Sequence, residues 1–240
     1  MTSPPRPKRR LFARLLLLLL LSGTALAAMR FGFLPQRFSP FPPISLDTRP
    51  DWFIDTRLAA LHRDKPLCDA VLKAPHIDAV RLPDQPYKDG CGWQNAVKFT
   101  SVGGARLGAE SLTCEMSAAL ALWIEHDVQP LAQAAFGQRV TTIGDMGIYS
   151  CRNILGNALM KNIRSQHAIA NAIDISGFTL EDGKQISILK EWSGKGAESR
   201  FLKEVHRRAC RYFRVALGPD YNAAHKNHFH FDRGAFSRCK

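Results

Sequence analysis

Four of the eight histidines in this 240-residue chain fall in two short stretches. His167 opens a run that ends at Asp174, and His225, His228 and His230 crowd a second run that ends at Asp232. Imidazole and carboxylate are donors that a zinc ion takes at about 2 Å. On one helix, His167 and Asp174 would stand roughly 10 Å apart along the axis, too far for donors sharing one ion. A loop for His167 and a strand for Asp174 remove that difficulty. The alternation from Ala172 to Ser176 supports the strand, turning Asp174 one way and Ile173 and Ile175 the other. The second run alternates more sharply. His228, His230 and Asp232 share one strand face, while Phe229 and Phe231 fill the core on the opposite face. His225 would face away from His228 on a strict strand, so it must sit on a bend. Two imidazoles on one strand face, beside a second strand's carboxylate, make a metal cradle, and three protein ligands would leave a fourth position for water, the pattern of a catalytic zinc site. Bound Zn2+ brings that water's pKa toward ~7 and polarises a scissile carbonyl. Hydrolysis then requires a base and a donor for the oxyanion.

His-x6-Asp followed by His-x-His resembles the signature of the metallopeptidase superfamily of lysostaphin-type enzymes, D-Ala-D-Ala metallopeptidases and hedgehog-like domains (LAS). More closely, Tyr149-Ser-Cys-Arg152, Ser165-x-His167, Ala172-Ile-Asp-Ile175 and His225-x-x-His228-Phe-His230-x-Asp232 resemble the bacterial extensin-like C-terminal domain family, from about Asp51 onward. The resemblance implies a LAS-type α+β fold, Zn2+ as cofactor and peptidoglycan peptides as substrate, cut by an endopeptidase or a carboxypeptidase. It makes His167, Asp174 and His230 the zinc ligands and His228 the base or transition-state stabiliser, with His225 sharing that work. Arg152 becomes the partner of the oxyanion or of a substrate carboxylate, and Ser165 orients substrate or backbone. Two positions depart from the pattern. Asn227 stands where some relatives carry an acid and cannot act as a base, and Ala170 stands where many have Gly. Asp232 has two readings, a carboxylate orienting a histidine or a solvated strand end. The alternative function is a catalytically inactive wall-binding or scaffold module. His62, His76, His126 and His206 lack such company and read as surface or packing residues.

Charge and cysteines narrow the setting. The formal net charge is +12, but the first fifty residues hold eight Lys or Arg against the single Asp47. Much of the excess therefore belongs to the leader and the stretch after it, and nucleic acid is not an expected partner. Lys8, Arg9 and Arg10, the apolar run Leu15–Leu21 and Ala25-x-Ala27 read as a signal peptide or as an N-terminal membrane anchor over residues 1–28. Both export the chain to the cell envelope, in the periplasm or on the inner membrane. In that compartment the six cysteines are expected to form disulfides, and a bridge at Cys151 would fix the Arg152 loop. The pairing itself is open.

Residues 29–50, with Pro35, Pro40, Pro42, Pro43 and Pro50, read as an extended linker, and 51–240 as one domain. Its expected elements begin with a helix from Asp51 that places Trp52, Leu58 and Leu61 on one face. Next come a short helix capped at Asp64 and a strand Ala96–Val102 turned by Gly103-Gly104. A helix Cys114–Phe136, broken or kinked at Pro130 and stopped at Gly137, leads to a strand Arg139–Ser150 interrupted at Gly144-Asp145. Glu181-Asp-Gly-Lys184 signals a hairpin, and Glu198–Leu217 an amphipathic helix. Strands and helices without βαβ alternation predict an α+β fold, an antiparallel sheet flanked by helices. No internal repeat, Walker-type loop or Pro-rich repeat of a plant structural extensin is present.

Overall fold

The computed structural model describes residues 7–31, 33–34, 38–41, 44–49, 52–74, 77–108, 110–156 and 158–240. Pro35, Pro42, Pro43 and Pro50 of the expected linker, Asp51 and His76 lie outside them. Helix α1 (Pro7–Arg30) is followed by α2 (Ile54–Ala60) and α3 (Lys65–Val71). Strands β1 (Ile77–Arg81), β2 (Gln85–Lys88), β3 (Cys91–Trp93), β4 (Ala96–Val102), β5 (Ala105–Arg106) and β6 (Leu112–Thr113) come next. Then follow α4 (Cys114–Trp123), α5 (Gln129–Phe136), β7 (Val140–Gly147), β8 (Ala172–Leu180) and β9 (Gln185–Ser187). The chain finishes with α6 (Ile188–Glu191), α7 (Ala197–Ala209), β10 (Val215–Leu217), β11 (Phe229–Asp232) and β12 (Arg238–Cys239).

This is an α+β fold. The main sheet runs β1-β4-β5-β7-β8-β11-β10-β12, with β6 beside β4 and β9 beside β8. Its pairings are antiparallel, as expected, except β5 with β7 and β10 with β12, which make the sheet mixed. At its centre β8 lies against β11, His230 directly opposite Asp174. The alternation does what the pattern requires: Ile173, Ile175, Phe229 and Phe231 are fully buried on the core side. Helix α4, apolar except for Glu115 and Ser117, is buried over its full length and packs beneath those strands. Its Trp123 meets the Phe231 ring edge-on at 5.2 Å and donates its indole N–H to the Val205 carbonyl at 2.9 Å.

Pro130 does not break the long helix. One wide π-turn over Ile124–Val128 joins α4 to α5, the Gln129 N–H reaching back to the Ile124 carbonyl, and Pro130 enters at the first turn of α5, where its missing N–H costs little. Gly137 ends α5 in the left-handed conformation at φ +69°. Asp64 caps α3 as expected, accepting from the Leu67 N–H at 2.8 Å. The Gly144-Asp145 interruption appears as register shifts between β7 and β8.

Two expectations are corrected. The helix from Glu198 ends at Ala209 rather than Leu217, because Val215–Leu217 pair with β11 as a strand. Trp52 does not share the buried face of Leu58 and Leu61: those two are fully buried, while Trp52 is 90% exposed. Part of the stretch read as a linker lies against the domain. Ile44 and Leu46 join the core, and the Ser39 carbonyl accepts two bonds from the buried Arg57 guanidinium, at 3.0 and 2.7 Å.

The six cysteines form three disulfides, Cys68–Cys114, Cys91–Cys151 and Cys210–Cys239. Leu11–Arg30 is apolar and long enough to cross a membrane by length and composition. Together the helix and the disulfides mark an extracytoplasmic protein.

Candidate metal centre

His167 sits where the sequence requires, in a tight turn over Gln166–Ile169. Ser165 starts that turn, its hydroxyl accepting from the His167 N–H at 3.3 Å. Ala170 closes it in the left-handed region at φ +53°, which is the physical reason a glycine suits this position. Asn171 braces the turn, donating to Gln166 and accepting from the Thr113 hydroxyl, both at 2.8 Å. A Cβ on Gly234, which follows β11, would stand 2.7 Å from the Gln166 side chain. A side chain at this position would have to displace the Gln166 side chain that Asn171 holds.

The turn delivers His167 Nε2 to a point 3.3 Å from Asp174 Oδ1 and 3.2 Å from His230 Nδ1. His230 Nδ1 is 2.9 Å from the same carboxylate oxygen. Donors at about 2.0–2.1 Å from one tetrahedral ion stand roughly 3.3 Å from each other, close to these separations. The far side of each ring decides its tautomer. His167 Nδ1–H donates to the Ile148 carbonyl at 2.6 Å, and His230 Nε2–H donates to Asp232 Oδ2 at 3.0 Å. Both partners can only accept, so in the neutral rings the two inward nitrogens carry bare lone pairs. Two lone pairs and a carboxylate oxygen facing one point require a cation there. With a proton as that cation, burial weighs against charging His230, but hydrogen bonds to Asp174 and Asp232 push it up to about 9. Burial also opposes charge on Asp174, and bonds from His167 and His230 overcome it, holding the carboxyl far below its usual range. The donor set therefore fits a divalent metal of the zinc type.

Asp232 takes the orienting role rather than that of a solvated strand end. It is buried, and its second oxygen accepts the Gly234 N–H at 2.8 Å. Next to it, buried Arg233 pairs with Glu115 at 2.8 Å and with Asp55 at 2.8 Å, tying the end of β11 to α4 and α2.

His225 and His228 stand beside this centre. His225 lies at the end of a short turn, Ala223–His225, the bend its spacing demands. Its ring is 5.2 Å from that of His228 and 5.9 Å from that of His230. Two asparagines set their tautomers. Asn222 Oδ1 takes the His225 Nδ1–H at 2.7 Å, and Asn227 Oδ1 takes the His228 Nδ1–H at 3.0 Å. Each ring thus keeps Nε2 free, that of His228 being 3.7 Å from Asp174. Burial, then the neighbouring His230 and His228 charges, pull His225 down to about 4. Burial likewise lowers His228, against the pull of Asp174. Both are neutral bases at pH 7.

Arg152 is brought to the same cleft by backbone bonds. The Ser165 N–H donates to the Arg152 carbonyl at 3.0 Å, and the Ser150 N–H to the His167 carbonyl at 3.2 Å. The Cys91–Cys151 bridge ties this loop to β3, and the Arg152 charge is felt by His225 and His228. The cleft has a volume of about 420 Å³, with the histidines at its floor and Ile154, Leu155, Met160, Ile163 and Phe236 along its wall. Its size suits a small-molecule or peptide ligand. All seven expected site residues line it. Asn222, the Ile148 carbonyl and the apolar wall are the parts that the residue pattern misses. Only Asn222, three residues before His225, carries a signal, as a turn cap.

Residues 66–240 match the model of a family described as extensin-like protein C-terminus. No curated protein and no solved structure matches the chain.

Proposed function

The chain belongs to the extensin-like protein C-terminus family, and we propose that it is a zinc-dependent peptidase of the cell envelope. Its substrates are amide bonds of peptidoglycan peptides in the periplasm, cut in endopeptidase or carboxypeptidase fashion. One observation carries the reading: three donor atoms converge, their outer partners committed, at the floor of a cleft that also holds two neutral histidines and an arginine. His167, Asp174 and His230 would hold the ion. When bound, zinc acidifies a water and polarises the scissile carbonyl. His228 accepts the water's proton at Nε2, since Asn227 occupies its Nδ1–H, and returns it to the leaving amine. His225, held in the same tautomer by Asn222, shares that work as a second neutral imidazole beside His228. Arg152 donates to the carbonyl oxygen as it gains charge or to a terminal carboxylate. The likeness of the His-x6-Asp and His-x-His spacing to LAS peptidases supports the reaction class and a related fold.

A second reading, an inactive wall-binding module, has one observation in its favour. Both carboxylates near the donors, Asp174 and Asp232, are committed to His230, which leaves no acidic base. Metal analysis of the full oxidised chain and incubation with purified muropeptides decide between the two. The peptidase reading expects one zinc per chain and cleavage that disappears in His228→Ala and His230→Ala. Zinc with no turnover across crosslinked and uncrosslinked muropeptides selects the binding module, and absence of zinc sinks the site.

A further inference from the structure

Two features outside the cleft point to a second surface. The apolar part of α1, Leu11–Arg30, has 20 residues, mean hydropathy 2.1 and none of that window buried. At 1.5 Å per residue it spans roughly 30 Å, the thickness of a bilayer's hydrocarbon core. Its cleavage-like motif, Ala25-x-Ala27, is wound into the helix, which continues to Arg30. The Phe31 N–H bonds the Ala27 carbonyl at 2.9 Å and the Phe33 N–H bonds the Ala28 carbonyl at 2.9 Å. Proteolysis needs an extended backbone, and here the bond after Ala27 lies under an unbroken ladder.

The domain is tied close behind. Ser39 is pinned by Arg57, and Ile44 and Leu46 are core residues. His126 Nε2 meets the Leu46 carbonyl at 2.8 Å, fixing further the strap to which Ser39, Ile44 and Leu46 belong. Chain geometry limits the span from Phe31 to Ser39 to roughly 28 Å. Large aromatic side chains stay exposed on both sides of it: Phe31 at 74%, Phe33 at 82% and, entering α2, Trp52 at 90%. Such exposure is unfavourable in water, while aromatic rings are favoured at the headgroup level of a membrane. The bilayer is the occupant that the helix length supplies and the short tie keeps within reach.

We propose that α1 is retained as an uncleaved anchor and that the strap face of the domain docks on the bilayer surface, with Trp52 in the headgroup region. Lys8, Arg9 and Arg10 then remain on the cytoplasmic side and the domain works at the outer face of the inner membrane.

The test uses the full chain. Intact mass of the protein extracted from membranes reports whether residues 11–30 are present. The chain is also reconstituted in phosphatidylglycerol-containing vesicles whose acyl chains are brominated near the headgroup. Of its four tryptophans, Trp123 and Trp192 are buried and Trp93 stands against Tyr149, so bromine quenching reads Trp52. The proposal expects an intact N-terminal helix and quenching that is lost in Trp52→Phe. A chain shortened at Ala27 overturns the anchor. A retained helix with the same quenching in Trp52→Phe, or with none, overturns the docking. Neither outcome bears on the peptidase reading, whose residues lie elsewhere.

Discussion

Replacing Asp232 by Asn isolates the orienting half of the metal centre while leaving all three proposed donors in place. The native carboxylate is buried and has two donors to satisfy, His230 Nε2–H at 3.0 Å and the Gly234 N–H at 2.8 Å. A carboxamide has one acceptor, so one of these donors must face an NH2 group. If the amide nitrogen faces His230, the ring adopts the other tautomer and carries its proton on Nδ1, among the converged donors. If it faces Gly234, a buried backbone N–H is left unmet. A hydrogen bond to a charged group is worth about 1.5–3 kcal/mol, which is roughly 10–100-fold in affinity and agrees with losses seen when a ligand's orienting partner is removed. Zinc affinity measured by competition with a chromophoric chelator near neutral pH should fall by that factor. The nitrogen NMR signature of His230 should move toward the Nδ1–H form. Affinity within about threefold of the parent, in a variant that melts normally without metal, would refute the claim that Asp232 sets the tautomer.

The remaining predictions concern stability and positioning. Burial lowers His206 below its ordinary value of 6.5, and its Nε2 has no hydrogen-bond partner among the described residues. The unfolded chain therefore takes up that proton first, so the stability owed to neutral His206 is complete above 6.5 and declines as pH falls below it. Urea melts of His206→Phe against the parent should diverge toward acid pH in the variant's favour, and parallel curves would count against a neutral buried ring. Removing the Cys91–Cys151 bridge, which spans 60 residues, should cost about 4 kcal/mol through loop entropy. It should also raise KM more than it lowers kcat by loosening Arg152. Removing Cys68–Cys114, which spans 46 residues, should cost a similar amount of stability, about 4 kcal/mol, with KM unchanged. Equal KM effects in the two variants would show that the bridge does not position the loop.

Local pattern carried most of the donor set. A period of two is a backbone property, so residues 228 to 232 had to put His230 and Asp232 on one face and bury Phe229 and Phe231 wherever the strand paired. The distance argument against a helix placed His167 in a turn, and the left-handed Ala170 closes that turn. Export signals made disulfides the expected state of the cysteines. Long-range pairing is what sequence spacing leaves undetermined. Nothing local couples Cys91 to Cys151, sets β8 beside β11 with Asp174 opposite His230, or turns Val215–Leu217 from helix to strand. Those outcomes depend on which strand edges meet and which surfaces bury one another. The amide of Asn227 shows the same division: as a residue type it cannot be a base, and only its position against His228 Nδ1 makes it the group that fixes one. The sequence by itself determined the chemical types and the local faces of the site. The tertiary structure alone decided their convergence, because ångström-scale convergence is set by the packing of segments distant in the chain.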